Sequence, residues 1–177
     1  SVGGKLIFGS NPLKAPTLSP SNICQDATKV LLEAINAEFP ANSGKTQPRI
    51  VVITSNGIGP YAHAKVPFML KGMYSWMLDE PHADKEEVEK LLLRAANLPH
   101  PDFNPNPSST ASTPTIQRLT LIRPALLTSS AASTKTVRVA ETLKGAYSVS
   151  RADVGRVLWE ECLVGGKWAG EGVTLAY

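Results

Sequence analysis

The stretch that decides the fold is Arg49-Ile50-Val51-Val52-Ile53-Thr54-Ser55. Its four consecutive β-branched residues, without polar alternation, are typical of a central parallel strand that is covered on both faces. Two shorter apolar runs of the same kind, residues 5–8 and residues 119–123, lie before and after it in the chain. We expect the three segments to form adjacent parallel strands of one sheet.

Helical signals alternate with these strands. Ser21 is the expected N-cap of a helix whose inward face carries Ile23, Ala27, Val30, Leu31 and Ala34. Asp84 and Glu87 form a capping box that opens a second helix, and Ser150 with Asp153 opens a third, which ends at Gly165-Gly166. Strands that alternate with helices predict an α/β domain with a mostly parallel sheet.

Composition and charge exclude several classes of protein. The chain of 177 residues is 42% hydrophobic and 19% charged, which fits one globular domain over residues 1–177 and excludes collagen, a coiled coil and a disordered tail. The 18 basic and 15 acidic residues are spread along the chain without an aromatic-basic cluster, so we expect no nucleic-acid partner. No apolar stretch approaches the ~20 residues of a membrane span, and we expect a cytoplasmic protein.

Two further features concern cysteines and a loop. Cys24 and Cys162 lie in helical patterns, and buried free thiols are expected rather than a disulfide between them. Residues 97–115 contain five prolines and many Ser and Thr residues, which predicts a mobile surface insertion within the domain.

The first candidate site is Gly57-Ile58-Gly59-Pro60-Tyr61-Ala62, which matches the glycine-rich pattern of dinucleotide loops directly after a strand. An acidic pair, Asp79-Glu80, follows at the distance expected of a ribose-binding carboxylate. The pattern has only two glycines, and Pro67 stands where the phosphate-binding helix would continue. These departures favour an ordinary turn over a phosphate loop.

The second candidate is the pair Tyr61 and Lys65, which has the Y-x-x-x-K spacing. On one helix face the lysine would lower the pKa of the tyrosine, so that the phenol could donate a proton, and Ser55 could supply the accompanying hydroxyl. Pro67 again interrupts the helix, and this spacing is common by chance. We therefore assign Tyr61 to a turn.

The third candidate is Ser55 with Lys85. A serine at the carboxyl end of a central strand lies in the crevice where open α/β sheets bind ligands. Lys85 opens the next helix, where its ammonium could reach a ribose or a pyrophosphate. The structural alternative is a capping serine and a solvated surface lysine.

Four features together resemble the atypical short-chain dehydrogenase/reductases. They are a strand ending in Thr54-Ser55, the helix Lys85-x-x-x-Glu89-x-x-Leu92, a strand ending in Arg123-Pro124, and the helix start Ser150-Arg151-Ala152-Asp153-Val154. The most similar groups are the NAD(P)H-binding NmrA-like proteins of fungi and the flavin/biliverdin reductase type. The resemblance implies a Rossmann-like parallel sheet with flanking helices and an oxidoreductase that transfers a hydride to a small organic substrate.

The resemblance also implies roles for individual residues, with NADP or NAD as the cofactor. Lys85 would hold the cofactor ribose and Ser55 would lie near the nicotinamide, both as catalytic residues. The implied cofactor contacts are Gly3, Gly4, Thr54, Ser55, Lys85, Pro124, Ala125 and Leu126. The implied substrate pocket is lined by Met69, Met73, Tyr74, Trp76 and Leu127. Pro81 stands where many members carry the catalytic tyrosine, so no phenolic acid is implied.

The family's N-terminal strands and glycine-rich loop have no counterpart in this sequence. We therefore expect the carboxyl-terminal part of such a protein, paired with a second copy or with a chain that supplies the other half. The alternatives are a non-catalytic, NAD(P)-sensing NmrA-like regulator or interaction module, and an inactive fragment.

Overall fold

The computed structural model describes residues 3–11, 14–40, 43–100 and 114–177, and for Met73 and Tyr74 only the backbone. Its elements in chain order are β1 (Lys5–Ile7), β2 (Thr17–Ser19), α1 (Ile23–Glu38), β3 (Ile50–Ile53), α2 (Gly59–Lys65), α3 (Phe68–Met77), α4 (Asp79–Ala95), β4 (Leu119–Pro124), β5 (Leu126–Thr128), β6 (Arg138–Ala140), β7 (Ser148–Ser150), α5 (Arg151–Val157), a π-helical segment (Leu158–Val164) and β8 (Glu171–Ala176).

The main sheet has four strands in the order β3-β4-β8-β6. β3 and β4 are parallel with Val52 opposite Leu121, and β4 and β8 are parallel with Ile122 opposite Val173. β6 pairs antiparallel with β8 at the far edge, while β5 and β7 form a separate parallel pair. The predicted parallel pairing of residues 49–55 with residues 119–123 is confirmed.

Two apolar clusters cover the two faces of this sheet. Because successive side chains of a strand point to opposite faces, Leu121 joins one cluster and Ile122 the other. The first cluster packs α1 and α4 on the sheet, and the second packs α5 and the π-helical segment on it. The chain is therefore a three-layer α/β domain, as the sequence predicted.

The predicted strand at residues 5–8 is wrong in its partner. β1 pairs antiparallel with β2, with Leu6 opposite Leu18, and this hairpin is separate from the main sheet. A segment only ten residues downstream offers a partner at a low loop-closure cost. The side chains of Ile7 and Phe8 are 49% and 63% exposed, so this segment is not the covered strand that its composition suggested.

Helix α1 presents a different face to the core from the one predicted. Val30 and Leu31 are exposed, whereas Thr28 and Ile35 are buried. The Thr28 hydroxyl donates to the Cys24 carbonyl at 2.7 Å, and a polar side chain satisfied in this way is tolerated in the interior. The inward face is therefore displaced around the helix from the apolar stripe of the sequence.

Asp84 fixes the position of α1 against α4, and its role differs from the predicted one of N-cap of its own helix. Its carboxylate accepts the backbone N–H groups of Cys24 and Gln25 at 3.1 Å each, so it caps the first turn of α1 in place of Ser21. Asp84 itself lies inside α4, which begins at Asp79. The predicted capping box at Asp84 is wrong because Pro81, in the first turn of α4, needs no N–H partner and lets the helix start earlier.

Other local predictions are confirmed. Ser150 caps α5 by accepting the Asp153 N–H at 3.0 Å. Cys24 and Cys162 are both free thiols; Cys162 is buried as predicted, whereas Cys24 is only half-buried. Most of the predicted insertion at residues 97–115 lies outside the described residues, and it stays a prediction. Within the described ranges no helix combines the length and apolarity that a membrane crossing requires.

Candidate functional site

The candidate site is built where β3 and β4 end side by side. The Thr54 N–H donates to the Ile122 carbonyl at 2.8 Å, and the Asn56 N–H donates to the Pro124 carbonyl at 3.0 Å. These bonds extend the parallel ladder past β3 by alternate residues. Ser55 lies between them, so its side chain is held at the carboxyl edge of the sheet beside Pro124.

Helix α4 brings a histidine to Ser55. The Ser55 Oγ lies 3.2 Å from the His82 Nε2, and it also lies 3.4 Å from the Asn56 carbonyl oxygen. His82 precedes Lys85 by three residues, a spacing that places both on one face of a helix. Burial lowers the pKa of His82 to about 4, with the charge of Lys85 and then His63 adding to the effect. The ring is therefore neutral at pH 7.

Lys85 holds the backbone at the same point. Its Nζ donates to the Thr54 carbonyl at 3.3 Å. Burial lowers the pKa of Lys85, and the nearby Cys24, Asp84 and Glu89 partly offset that effect. A half-buried ammonium one residue away from Ser55 is thus fixed against the strand end rather than solvated freely.

Glu89 on α4 accepts hydrogen bonds from both strands that form the site. The Thr54 hydroxyl donates to its Oε1 at 2.5 Å, and Arg123 donates from Nε at 3.0 Å and from Nη2 at 2.7 Å. Glu89 is only 2% exposed. Helix α4 therefore holds Thr54 by two hydrogen bonds, from Lys85 to its carbonyl and from its hydroxyl to Glu89. The ion pair of Glu89 with Arg123 links α4 to β4. A Cβ on Gly172 would lie 2.6 Å from Arg123 Nη1, so a side chain there would displace the guanidinium that pairs with Glu89.

A cleft of about 330 Å³ opens beside His82. It lies between α2, the end of α3 and the first turns of α4, and its polar lining comes from His63, Ser75, Asp79, His82 and Glu86. The cleft connects the Ser55–His82 pair to a space that a small molecule or solvent can enter.

Some predicted cofactor residues are brought together and others are not. Thr54, Ser55, Lys85 and Pro124 meet at one sheet edge, as described above. The prediction for Gly3 and Gly4 required residues 5–8 to be a strand of the main sheet, and this basis is wrong. A Cβ on Gly4 would lie 2.8 Å from Leu18 Cδ1, so this glycine packs within the β1–β2 hairpin.

The residues after Pro124 offer side chains rather than backbone donors. The Ala125 N–H donates to the Leu175 carbonyl at 2.9 Å, and the Leu126 N–H donates to the Tyr147 carbonyl at 3.2 Å. Both amides are thus engaged within the fold. The Leu126 side chain is 39% exposed and can still pack against a ligand at this edge.

The Tyr61–Lys65 pair forms, but away from the Ser55–His82 contact. Both residues lie on α2, so the predicted turn at Tyr61 is wrong; the helix ends at Lys65, before Pro67. Lys65 Nζ lies 3.4 Å from the Tyr61 hydroxyl and 4.5 Å from the centre of its ring. The pair lines a smaller cavity with Asn56 and Arg123, separate from the His82 cleft.

Gly57 and Gly59 have φ values of 83° and 74°, which only a turn-forming glycine adopts readily.

The predicted substrate pocket on α3 is largely open. Met69 is 81% exposed and Trp76 is 41% exposed, and the side chains of Met73 and Tyr74 lie outside the description. Leu127 is partly buried and packs against the second apolar cluster. These lining roles stay predictions.

The sequence analysis missed His82 as a site residue. The signal that could have identified it is its position three residues before Lys85, while Glu89 follows Lys85 by four. In an α-helix this spacing gathers all three side chains on one face. The face becomes recognisable only when α4 is known to begin at Asp79 rather than at Asp84.

Comparison with known proteins identifies fungal relatives, although no family model matches the chain. The "Reductase pytE" of Aspergillus terreus is 33% identical over 185 residues, which cover 99% of this chain and 65% of that protein. The "Oxidase pynE" of Aspergillus niger is 32% identical over 174 residues, which cover 87% of this chain and 56% of that protein. The chain therefore spans less than two thirds of the length of either relative.

Solved structures show the fold. A short-chain dehydrogenase/reductase (wide type) of Veillonella parvula, in complex with NADP, has a TM-score of 0.56 at 10% identity, over 89% of this chain and 59% of that one. An NAD-dependent epimerase/dehydratase of Bacillus halodurans has a TM-score of 0.55 at 16% identity, over 95% and 60%. The predicted Rossmann-like class is confirmed.

Proposed function

Because the chain has the fold of the atypical short-chain dehydrogenase/reductases, as its sequence predicted, we propose that it serves in an NAD(P)H-dependent oxidoreductase. The proposed reaction is hydride transfer to a small organic substrate. The observation that carries the proposal is the convergence of Ser55, His82 and Lys85 at the carboxyl end of β3, beside an open cleft. This is the edge at which open α/β sheets bind dinucleotides.

The residues at this edge fit NADP or NAD. An ammonium carries three N–H donors. Lys85 donates one of them to the Thr54 carbonyl, so the others can donate to ribose hydroxyls. The exposed part of Leu126 offers an apolar surface for a flat ring. When bound, the reduced nicotinamide supplies the hydride.

The chain's own residues would orient the reactants and supply a proton. Lys85 places the cofactor, and Glu89 with Arg123 keeps Thr54, and therefore Ser55, in register with α4. The Ser55 hydroxyl, which is linked to the cleft through His82, is the donor that would protonate the substrate as charge develops on it. Such a donor acts mainly in the transition state and contributes little to ground-state binding.

The experiment is a fluorescence titration of the chain with NADPH and with NADH. Lys85→Met should weaken binding by about 1.5–3 kcal/mol, the usual size of a lost charged hydrogen bond. Lys90→Met is the matched control, because Lys90 lies on the same helix but pairs with Glu86 and Glu87 at the surface. Failure of both dinucleotides to bind, or equal weakening by the two variants, would contradict the proposal.

A non-catalytic NAD(P)-sensing regulator of the NmrA-like type is the second candidate. Pro81 in place of a tyrosine favours it, because α4 then lacks the phenolic proton donor. Consumption of NADPH in the presence of phenanthrenequinone, a general acceptor for carbonyl reductases, separates the two. Tight NADPH binding without any consumption would support the sensor and contradict the enzyme.

A partner at the edge of β3 is part of the proposal. Among the described residues β3 pairs with β4 alone, and Ile53 at this edge is 46% exposed. An open strand edge with apolar side chains tends to associate. We expect a second copy, or a chain carrying further strands, to cover it; a monodisperse monomer in sedimentation at tens of micromolar would contradict this. A cytoplasmic location stays a prediction.

A further inference from the structure

We propose that His82 relays a proton from the solvent of the cleft to Ser55, so that this pair replaces the tyrosine acid that α4 lacks. The inference rests on the proposed function and names the proton source of the same site. It assigns a role to a residue that the sequence analysis did not single out. The class of substrate is one whose reduction by a hydride leaves an anion that must be protonated, such as a carbonyl or a quinone.

The relay requires one direction of the hydrogen bond between Ser55 and His82. A hydroxyl has one proton to donate and can also accept. The long contact of Ser55 Oγ with the Asn56 carbonyl, at 3.4 Å, can only be formed with Ser55 as the donor. The closer contact with His82 Nε2, at 3.2 Å, fits either neutral tautomer of the ring, and the relay assigns the proton to Nε2, so that the ring N–H donates to Ser55 Oγ. In this arrangement the weakly held serine proton is the one that a substrate can take.

His82 is also the residue that joins Ser55 to the cleft. It lines the 330 Å³ space together with charged and titratable groups from its neighbouring elements: His63 on α2, and Asp79 and Glu86 on α4. Lys85 lies on the same helix face as His82. Protons can therefore reach the ring from solvent without crossing the apolar clusters of the domain.

The proposed step balances as follows. With a reduced nicotinamide as the hydride source, reduction would leave a negative charge on the substrate oxygen, and the Ser55 O–H bond would break as its proton passes to that oxygen. The Ser55 alkoxide then takes the Nε2 proton of His82 as solvent in the cleft protonates Nδ1, which leaves the ring in its other neutral tautomer. Exchange of protons with solvent at the two ring nitrogens then restores the Nε2–H form. In total the substrate gains one hydride and one proton, and both side chains return to their starting state.

The surroundings of His82 favour a neutral ring that transfers protons over a ring that stays protonated. Burial disfavours a charged imidazolium at this position, and the ammonium of Lys85 disfavours it further. The ring therefore passes a proton on rather than holding a positive charge between turnovers. A neutral imidazole with its N–H directed at a serine oxygen is the resting state that the relay needs.

The first test needs neither cofactor nor substrate. Nitrogen-15 NMR of the histidine side chains in the full chain distinguishes the two neutral tautomers. We expect His82 to be neutral at pH 7 with the proton on Nε2, and Ser55→Ala to shift its Nε2 resonance while those of His63 and His100 stay in place. A proton on Nδ1, or a His82 resonance that Ser55→Ala does not move, would overturn the relay.

The second test measures NADPH consumption with phenanthrenequinone. His82→Gln keeps an N–H donor for Ser55 but cannot shuttle protons, so kcat should fall by about 10–100-fold while the KM for NADPH stays within about twofold. His82→Ala should regain rate when imidazole is added, which a purely structural role would not allow. Tyr61→Phe is the matched control for the other acid near the strand end, and its rate should be unchanged.

The outcomes separate the two proposals. A chain that consumes no NADPH refutes the proposed function and the relay with it. A working chain whose His82→Gln variant keeps its kcat refutes the relay alone. Loss of activity in Tyr61→Phe, with His82→Gln unaffected, would assign the proton to the Tyr61–Lys65 pair instead.

Discussion

Replacing Arg123 by methionine should destabilise the fold because it leaves the carboxylate of Glu89 buried without its ion-pair partner. The carboxylate is 2% exposed and receives two charged N–H donors from Arg123, at 3.0 Å and 2.7 Å. After the substitution the Thr54 hydroxyl, at 2.5 Å, is the nearest remaining donor. His100 lies farther away, at 3.8 Å. One neutral donor cannot replace a guanidinium.

The expected size of this effect follows from burial. Removing one partner of a buried ion pair costs about 3–5 kcal/mol, a large share of the ~5–15 kcal/mol that keeps a domain folded. Removing both charges at once, in Arg123→Met with Glu89→Met, leaves neither charge of this ion pair without its partner. The double variant then loses the acceptor of Thr54 Oγ1, and it should be destabilised by only about 1–2 kcal/mol.

Urea unfolding followed by circular dichroism measures both effects at pH 7. The double variant should be more stable than Arg123→Met alone. Lys167→Met, which breaks an exposed pair with Glu161 at 3.4 Å, is the control and should change stability by less than about 1 kcal/mol. If the loss of unfolding free energy in the double variant equals the sum of the losses in the two single variants, the Glu89–Arg123 pair is not coupled and this account is refuted.

Two further predictions concern turnover and acid stability. Ser55→Ala should lower phenanthrenequinone turnover at least tenfold while NADPH affinity changes less than about twofold; a larger loss of affinity than of turnover would contradict its role. The Ser133 backbone N–H, then the Tyr177 and Ser150 hydroxyls, lower the pKa of Asp153 from 3.8 to about 2. The stability that Asp153 contributes is therefore present above pH 3.8 and lost as the pH falls toward 2. Asp153→Asn should flatten this decline in urea titrations at acid pH, and an unchanged slope would count against the account.

The strands that carry the site were predictable from sequence because their signals are local. Residues 50–53 are apolar throughout, and residues 119–122 are apolar except for Thr120; such segments are typical of strands between two covering layers. Both form parallel strands of the main sheet, with β4 inside it and β3 at the edge of its described part. Ser55 at the end of the first strand, and Lys85 on the following helix, could therefore be placed near one another before any coordinates.

The errors have tertiary causes. Asp84 has the sequence pattern of an N-cap for its own helix. In the structure its carboxylate instead accepts backbone N–H groups in the first turn of α1, about sixty residues earlier in the chain. This long-range cap also sets which face of α1 is buried, so Val30 and Leu31 remain exposed despite their apolar spacing. Residues 5–8 have the composition of a strand, but composition does not choose a partner, and β2 is the nearer one.

His82 was missed for a similar reason. A histidine gains its chemistry from what it contacts, and its contact with Ser55 joins two elements that are separate in sequence. The start of α4 at Asp79 is what brings His82 onto the face of Lys85 and Glu89. A motif that is read from Lys85 onward does not include it.

The central claim, that a nicotinamide dinucleotide binds where β3 and β4 end beside α4, is tested most directly by chemical-shift mapping of the nitrogen-15-labelled chain with NADPH. The account predicts that the largest shifts occur at residues 54–57, at residues 82–85 and at Leu126, and that they saturate together. Saturable shifts confined to the β1–β2 hairpin or to α5, or no shifts at millimolar NADPH, would contradict it.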